Sequence, residues 1–120
     1  MLPAQHRLRT SADFTAVLQA RGQRVGSRLL VVHTHCPPDR RDAPTRVGFV
    51  VSKAVGGAVL RNRTKRRLRH LCAARLVAVG PGLDIVIRAN PAAGEASSAE
   101  LAAALDAAVR TLAARCRERG

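Results

Sequence analysis

RNRTKRRLR, residues 61–69, is the stretch on which the reading of this sequence turns. Six of its nine side chains are cationic and no acid lies among them. The imbalance extends outward: between Asp42 and Asp84 the chain carries nine Arg or Lys and no Asp or Glu. Surface helices ordinarily interleave charge signs, with Glu and Lys four residues apart on one face. Nothing within this segment neutralises its cations, so their partner lies outside it. The plainer alternative is a solvated basic face on a generally basic protein.

Set on a helix at 100° per residue, Thr64, Leu68, Leu71 and Cys72 fall on one side, the expected core face. Asn62, Arg63, Arg66, Arg69 and His70 fall around the opposite side, while Arg61, Lys65 and Arg67 flank the boundary. The cations begin close to the helix N-terminus, where the macrodipole already disfavours positive charge. Two local rules broken at one place mark a candidate functional site. Phosphate groups relieve both conflicts, since helix N-termini and Arg side chains each favour anions.

Composition points the same way. Lys and Arg number 21 against 8 Asp and Glu, a net charge of +13, and a field of that sign concentrates polyanions. All but two of the cations, Lys53 and Lys65, are Arg, a bias that by itself carries no functional weight. The length, 120 residues, fits one domain spanning 1–120, with a core built mainly from Ala, Val and Leu. No apolar run reaches the ~20 residues of a membrane span. The N-terminal residues MLPAQHRLRTSADF hold no hydrophobic signal core. Cys36, Cys72 and Cys116 are odd in number and widely spaced, which argues against a disulfide framework and for a reducing cytoplasm.

Other chemistries find little support. His33 and His35 share a strand face while Cys36 points away, and no second Cys/His pair completes a tetrahedral metal site. Gly56 and Gly57 lack the G-K-[ST] ending of a phosphate loop. The eight acids are scattered and supply no evident magnesium-binding nuclease cluster. No catalytic residue and no metal ligand is therefore expected within the chain.

Along the chain, residues 10–22 read as a short amphipathic helix, capped by Ser11 and stopped by Gly22, with Phe14, Val17 and Leu18 on one face. Residues 28–35 read as a strand. After a Pro-rich loop at 36–45, residues 46–52 read as a second strand, antiparallel to the first. A turn at 53–59 runs into the basic helix, which VGPG (79–82) ends, and DIVIRA (84–89) is a further strand. From Ser97 an S-x-x-E capping box with Glu100 opens a long helix whose Leu101, Leu105, Ala108, Val109, Leu112 and Cys116 form one apolar stripe. The fold class is α+β: a single-domain α/β sandwich, a small sheet with helices against it.

A DNA-reading helix would need a helix-turn-helix partner or a dimer seam, and neither is evident. The aromatic signature of an RRM sheet and the GXXG clamp of a KH domain are missing too. Structured RNA is the expected partner.

VGFVVSKAVGGAVLRNRTKRRLR, residues 47–69, resembles the signature of the bacterial ribonuclease P protein subunit: a strand ending in Ser-Lys, a Gly-containing turn, Ala-Val, then Arg-Asn-Arg-x-Lys-Arg-x-x-Arg. The upstream DF-x-x-V-L helix and the later D-I-V-I strand fall in family order, so the resemblance spans essentially the whole chain. It implies a basic helix lying in a left-handed crossover between parallel strands, against the general handedness rule. It also implies a partner RNA that carries the catalysis with its own Mg2+, and removal of the 5′ leader from precursor tRNA. No membrane and no obligate protein partner are implied. By position, Arg61, Asn62, Arg63, Lys65, Arg66 and Arg69 would face the catalytic RNA, with Ser52 and Lys53 beside them. Phe14, Leu18, Arg28 and His33 would serve the single-stranded leader. Leu18 and His33 stand where relatives often carry aromatic residues, Ala54 where they often carry Lys, and Gly57 where Asn is frequent. A ribosomal or other structural RNA-binding protein is the alternative.

With about six phosphates contacted in non-duplex RNA, log K should fall against log salt with a slope near −4. Changing Arg63 and Arg66 to Ala should flatten that slope by about one to two units in a binding titration. An unchanged slope would place the RNA surface elsewhere.

Overall fold

The computed structural model describes residues 4–19 and 23–119. Gly22 and the Cys116 side chain lie outside the described residues. Helix α1 spans Ser11–Gln19. Its entrance is capped one residue earlier than the sequence pattern indicated. The Asp13 amide donates to Thr10 Oγ1 at 3.1 Å, and the Thr10 amide reaches Asp13 Oδ2 at 3.5 Å. Thr10 thus takes the cap position because its hydroxyl reaches the unpaired amide three residues on.

Four strands follow: β1 Gln23–Gly26, β2 Leu30–His35, β3 Arg46–Val50 and β4 Asp84–Ala89. The basic helix α2 is Ala58–Val79, between β3 and β4, and α3 is Ser98–Arg119. Strand β1 escapes sequence periodicity because it is only QRVG. Its structure comes from the hairpin with β2, closed where Ser27 and Leu30 exchange backbone and hydroxyl hydrogen bonds.

The sheet order is β1-β2-β4-β3, with β4 antiparallel to β2 and parallel to β3. The expected β2–β3 pair does not form, because β4 lies between them. Physically, β4 is the strand suited to the middle: Ile85, Val86 and Ile87 are each at most 2% exposed, so both of its faces need cover. Strand β3, shorter and carrying Gly48, takes the edge.

Two apolar layers enclose the sheet. On one face Leu30, Val32, Val47, Ile85 and Ile87 meet Leu68 and Cys72 of α2 and Leu101, Leu105 and Leu112 of α3. On the other, Val86 packs with Leu8, Val17, Phe14 and Val50 beneath α1. The capping box of α3 forms as the sequence indicated, the Glu100 amide donating to Ser97 Oγ at 3.1 Å and the Ser97 amide to Glu100 Oε1 at 3.0 Å. Cys36 is disulfide-bonded, contrary to the argument from cysteine number and spacing. Cys72 is a free thiol pushed up to about 12 by burial.

Gly48 lets α1 close on the sheet. A Cβ there would stand 2.4 Å from Cε1 and Cζ of the Phe14 ring and 3.2 Å from Leu8 Cβ. Gly48→Ala should therefore cost about 1–3 kcal/mol, the usual range for overpacking, read as a lower urea midpoint with an unchanged m-value. An unchanged midpoint would mean that the ring does not rest on β3.

Candidate nucleic-acid interface

Helix α2 has an anchored back. Thr64, Leu68 and Cys72 are buried, and the Thr64 hydroxyl is satisfied within the helix by donating to the Leu60 carbonyl at 2.9 Å. Its front is open: Asn62, Arg66, Arg69 and His70 are exposed, while Arg61 and Lys65 are half-buried at the boundary. None of Lys53, Arg61, Lys65, Arg66 and Arg69 pairs with a carboxylate among the described residues.

Arg63 departs from the wheel. It turns to the helix edge and donates through Nη2 to the Gly94 carbonyl at 3.1 Å. Four residues on, Arg67 does the same through Nη1 to the Ala96 carbonyl, also at 3.1 Å. Together they strap the segment after β4 to α2. Gly94 makes the close approach possible, since a Cβ there would meet the Val55 carbonyl oxygen at 2.7 Å. These carbonyls supply partial negative charge to a helix that has no acid of its own. Nε of Arg61 and of Arg63 is buried without a hydrogen-bond partner.

Ser52 and Lys53 sit at the exit of β3, leading into α2. The Ser52 hydroxyl accepts the Ala54 amide at 3.4 Å and caps the 3-10 turn Lys53–Val55, and both residues are exposed. Gly56 has φ +150°, and a Cβ there would strike Leu60 Cδ2 at 2.5 Å, so this turn requires glycine. Gly57 has φ −68° and open space around it, so no contact within the chain demands glycine there. The structure thereby sets Ser52 and Lys53 at the head of the cationic front.

The second group of expected site residues is divided. Phe14 is half-buried over β3, Leu18 is 41% exposed on α1, and His33 is half-buried on the sheet face that α1 covers. Arg28 is instead drawn to the N-terminus of α3, where its guanidinium lies 3.5 Å from Glu100. Two cations absent from the sequence reading, Arg24 and Arg88, are exposed on either side of His33. Arg88 carried a signal: it is the one charged residue inside the apolar run of β4. Burial first, then the charges of Arg24 and Arg88, hold the His33 imidazole below its ordinary pKa.

Three of the carboxylates are engaged elsewhere. Asp84, 4% exposed, receives two hydrogen bonds from Arg46 at 2.9 and 2.7 Å, with Arg40 at 3.7 Å. Asp106 is bonded by Arg75, which holds its carboxyl below the ordinary range, and Asp13 lies 3.9 Å from Arg46. With these acids matched to arginine, and no group of three His, Cys, Asp or Glu among the described residues, the donor set does not fit a divalent cation.

A sheet with helices packed on both faces and a cationic helix held by its back and bare of acids defines a small basic α/β protein whose open front suits an anionic partner. Residues 2–113 match the Ribonuclease P family. The chain is 52% identical to the ribonuclease P protein component of Streptomyces bikiniensis over 118 residues, covering 93% of this chain and 95% of that one. It is 54% identical to the Acidothermus cellulolyticus protein of the same name over 106 residues, covering 88% and 87%. Among solved structures, the Staphylococcus aureus RNase P protein superposes with a TM-score of 0.77 at 27% identity, covering 88% of this chain and 94% of that one. The chain belongs to the ribonuclease P protein family, and its role is that of the protein subunit of this tRNA-processing enzyme.

The two kinds of arginine on α2 should separate experimentally. Arg66→Ala and Arg69→Ala should weaken RNA binding and leave the melting temperature within about 2 °C. Arg67→Ala, which removes a strap to the Ala96 carbonyl, should lower the thermal midpoint by several degrees, for a loss of about 1 kcal/mol. A reversed pattern would exchange the two roles.

Proposed function

We propose that this subunit works with a catalytic RNA, which supplies the Mg2+ and the bond-breaking chemistry, to remove the 5′ leader of precursor tRNA. The observation that carries this reading is the front of α2, whose cations have no carboxylate to answer them. On this reading Arg61, Asn62, Arg63, Lys65, Arg66 and Arg69 hold phosphates of the catalytic RNA, with Ser52 and Lys53 extending the contact at the head of the helix. Mg2+ chemistry polarises phosphate oxygens and activates water. The protein's residues screen backbone charge, so that two polyanions approach each other at lower metal concentration.

Phe14, Leu18 and His33 would meet the single-stranded leader on the face beneath α1, with Arg28 beyond the hairpin end. Only precursor carries a leader, so this contact favours substrate over product, which is differential binding. The leader-facing positions hold one phenyl ring, Phe14, beside the smaller imidazole of His33, and stacking on an aromatic ring is worth about 1–3 kcal/mol per base. Grip on the leader must therefore draw on other chemistry as well. We place the complex in the cytoplasm and treat residues 1–120 as one RNA-binding domain.

The deciding experiment is cleavage of a precursor tRNA at low magnesium by this protein alone, by a bacterial ribonuclease P RNA alone, and by both together. Activity in the mixture only, lost when Arg61, Arg63 and Arg66 are neutralised, is expected. Cleavage by the protein alone would move the chemistry into the chain. Tight RNA binding without rescue would favour a structural RNA-binding role.

A further inference from the structure

Among the described residues, the sheet face beneath α1 is covered at one end only. Val86, Gly48 and Val50 lie under Leu8, Phe14 and Val17, whereas Arg24 and Arg88 are exposed and Val31 and His33 half-buried. Strand register places Arg24 directly opposite His33, and Arg88 opposite Val31, two residues from His33 on the same strand. Side chains two apart on a strand share a face, so Arg24, His33 and Arg88 stand on the face that carries Val86.

Charge along this face is polarised. In the next row His35 lies opposite Asp84, and Asp84 opposite Arg46. Asp84 is held there by Arg46 and Arg40, and the Asp13 carboxylate of α1 accepts from the Thr10 amide and faces Arg46. Negative charge thus gathers at one end and is matched there. At the other end neither Arg24 nor Arg88 pairs with a carboxylate among the described residues, and the buried Nε2 of His33 has no hydrogen-bond partner. Two exposed guanidinium groups without carboxylates, flanking a half-buried imidazole, form a cationic patch suited to an anion that accepts hydrogen bonds.

We propose that Arg24, His33 and Arg88 form one phosphate-binding row, which grips a backbone phosphate of the single strand seated on the sheet beside α1 and takes up a proton at His33 as it does so. The proposal rests on the leader reading of this face and names the chemistry by which the leader is held. In the free protein, burial and then the two arginines disfavour the charged imidazole and hold its pKa below the ordinary value. A phosphodiester set among the three groups reverses the local sign, and the ring becomes a third cationic donor. The proton comes from solvent and returns to it when the strand leaves, with no covalent bond of the RNA altered. Such a grip tolerates any base, because it reads the backbone and not the sequence.

The bound-state pKa of His33 lies above that of the free protein, which is itself below the ordinary 6.5. Between the two, binding takes up a proton, so leader affinity rises as pH falls, by up to about tenfold per pH unit. Above the bound-state value the affinity is flat.

The test is the ratio of equilibrium affinities for precursor and mature tRNA, under conditions that do not support cleavage, using the protein assembled on a bacterial ribonuclease P RNA. Taking the ratio removes titrations common to both RNAs. The ratio should climb several-fold from about pH 8 to pH 5.5, and His33→Gln should hold it flat at its high-pH value. Arg24→Ala and Arg88→Ala should each lower the ratio by about three- to tenfold and flatten its salt slope by about 0.7. A precursor preference that ignores pH and both arginines would overturn the row and leave the leader reading standing. No precursor preference at all would remove the leader reading and the row with it.

Discussion

The burial of one narrow edge of α2 holds the working surface of this molecule in place. Thr64, Leu68 and Cys72 are buried, Leu68 and Cys72 in the core shared with the sheet and α3, and the far side of the helix is positioned by that contact. Without it, six cations in nine residues would repel one another into an extended chain. The cost of that repulsion is shared by arrangements that do not reduce the open charge. Arg63 and Arg67 donate to backbone carbonyls, and Arg75 farther along reaches Asp106 of α3. Arg66 and Arg69 are left to solvent.

The same economy governs the acids. Asp84 and Asp13 gather around Arg46 at one end of the sheet, Asp106 ties α2 to α3, and Glu100 answers both the Ser97 amide and Arg28. Each sits where it fastens one element to another, and none faces the front of α2. A basic protein that placed its few carboxylates at random would quench part of its own field. This distribution leaves two cationic surfaces free, one on α2 and one on the sheet beside α1, separated by the sheet itself.

Much of this was legible in residue order. The core face of α2, the capping box of α3, the strand DIVIRA and the surface of exposed cations all follow from local spacing, because helices and strands impose periods of 3.6 and 2 on whatever they bury. The Arg-Asn-Arg segment was specific enough to mark the family. Where the reading departed, a partner distant in sequence decided. Arg63 belongs to the open side by angle alone, yet the Gly94 carbonyl claims it. Strand β1 has too few residues to announce itself, and Thr10 caps α1 because of where Asp13 falls.

The sequence by itself determined the three α-helices, three of the four strands described, which side of the basic helix faces in, and that its charges find no acid within their own segment. These are properties of neighbours within a few residues, where periodicity and charge counting are sufficient. The tertiary structure alone decided that β4 lies between β2 and β3, that Arg46 closes on Asp84, and that Arg24, His33 and Arg88, separated by up to 64 positions in the chain, share one face. Strand order and register depend on which strand can bury both its faces, a comparison that exists only once all four strands compete for the same core.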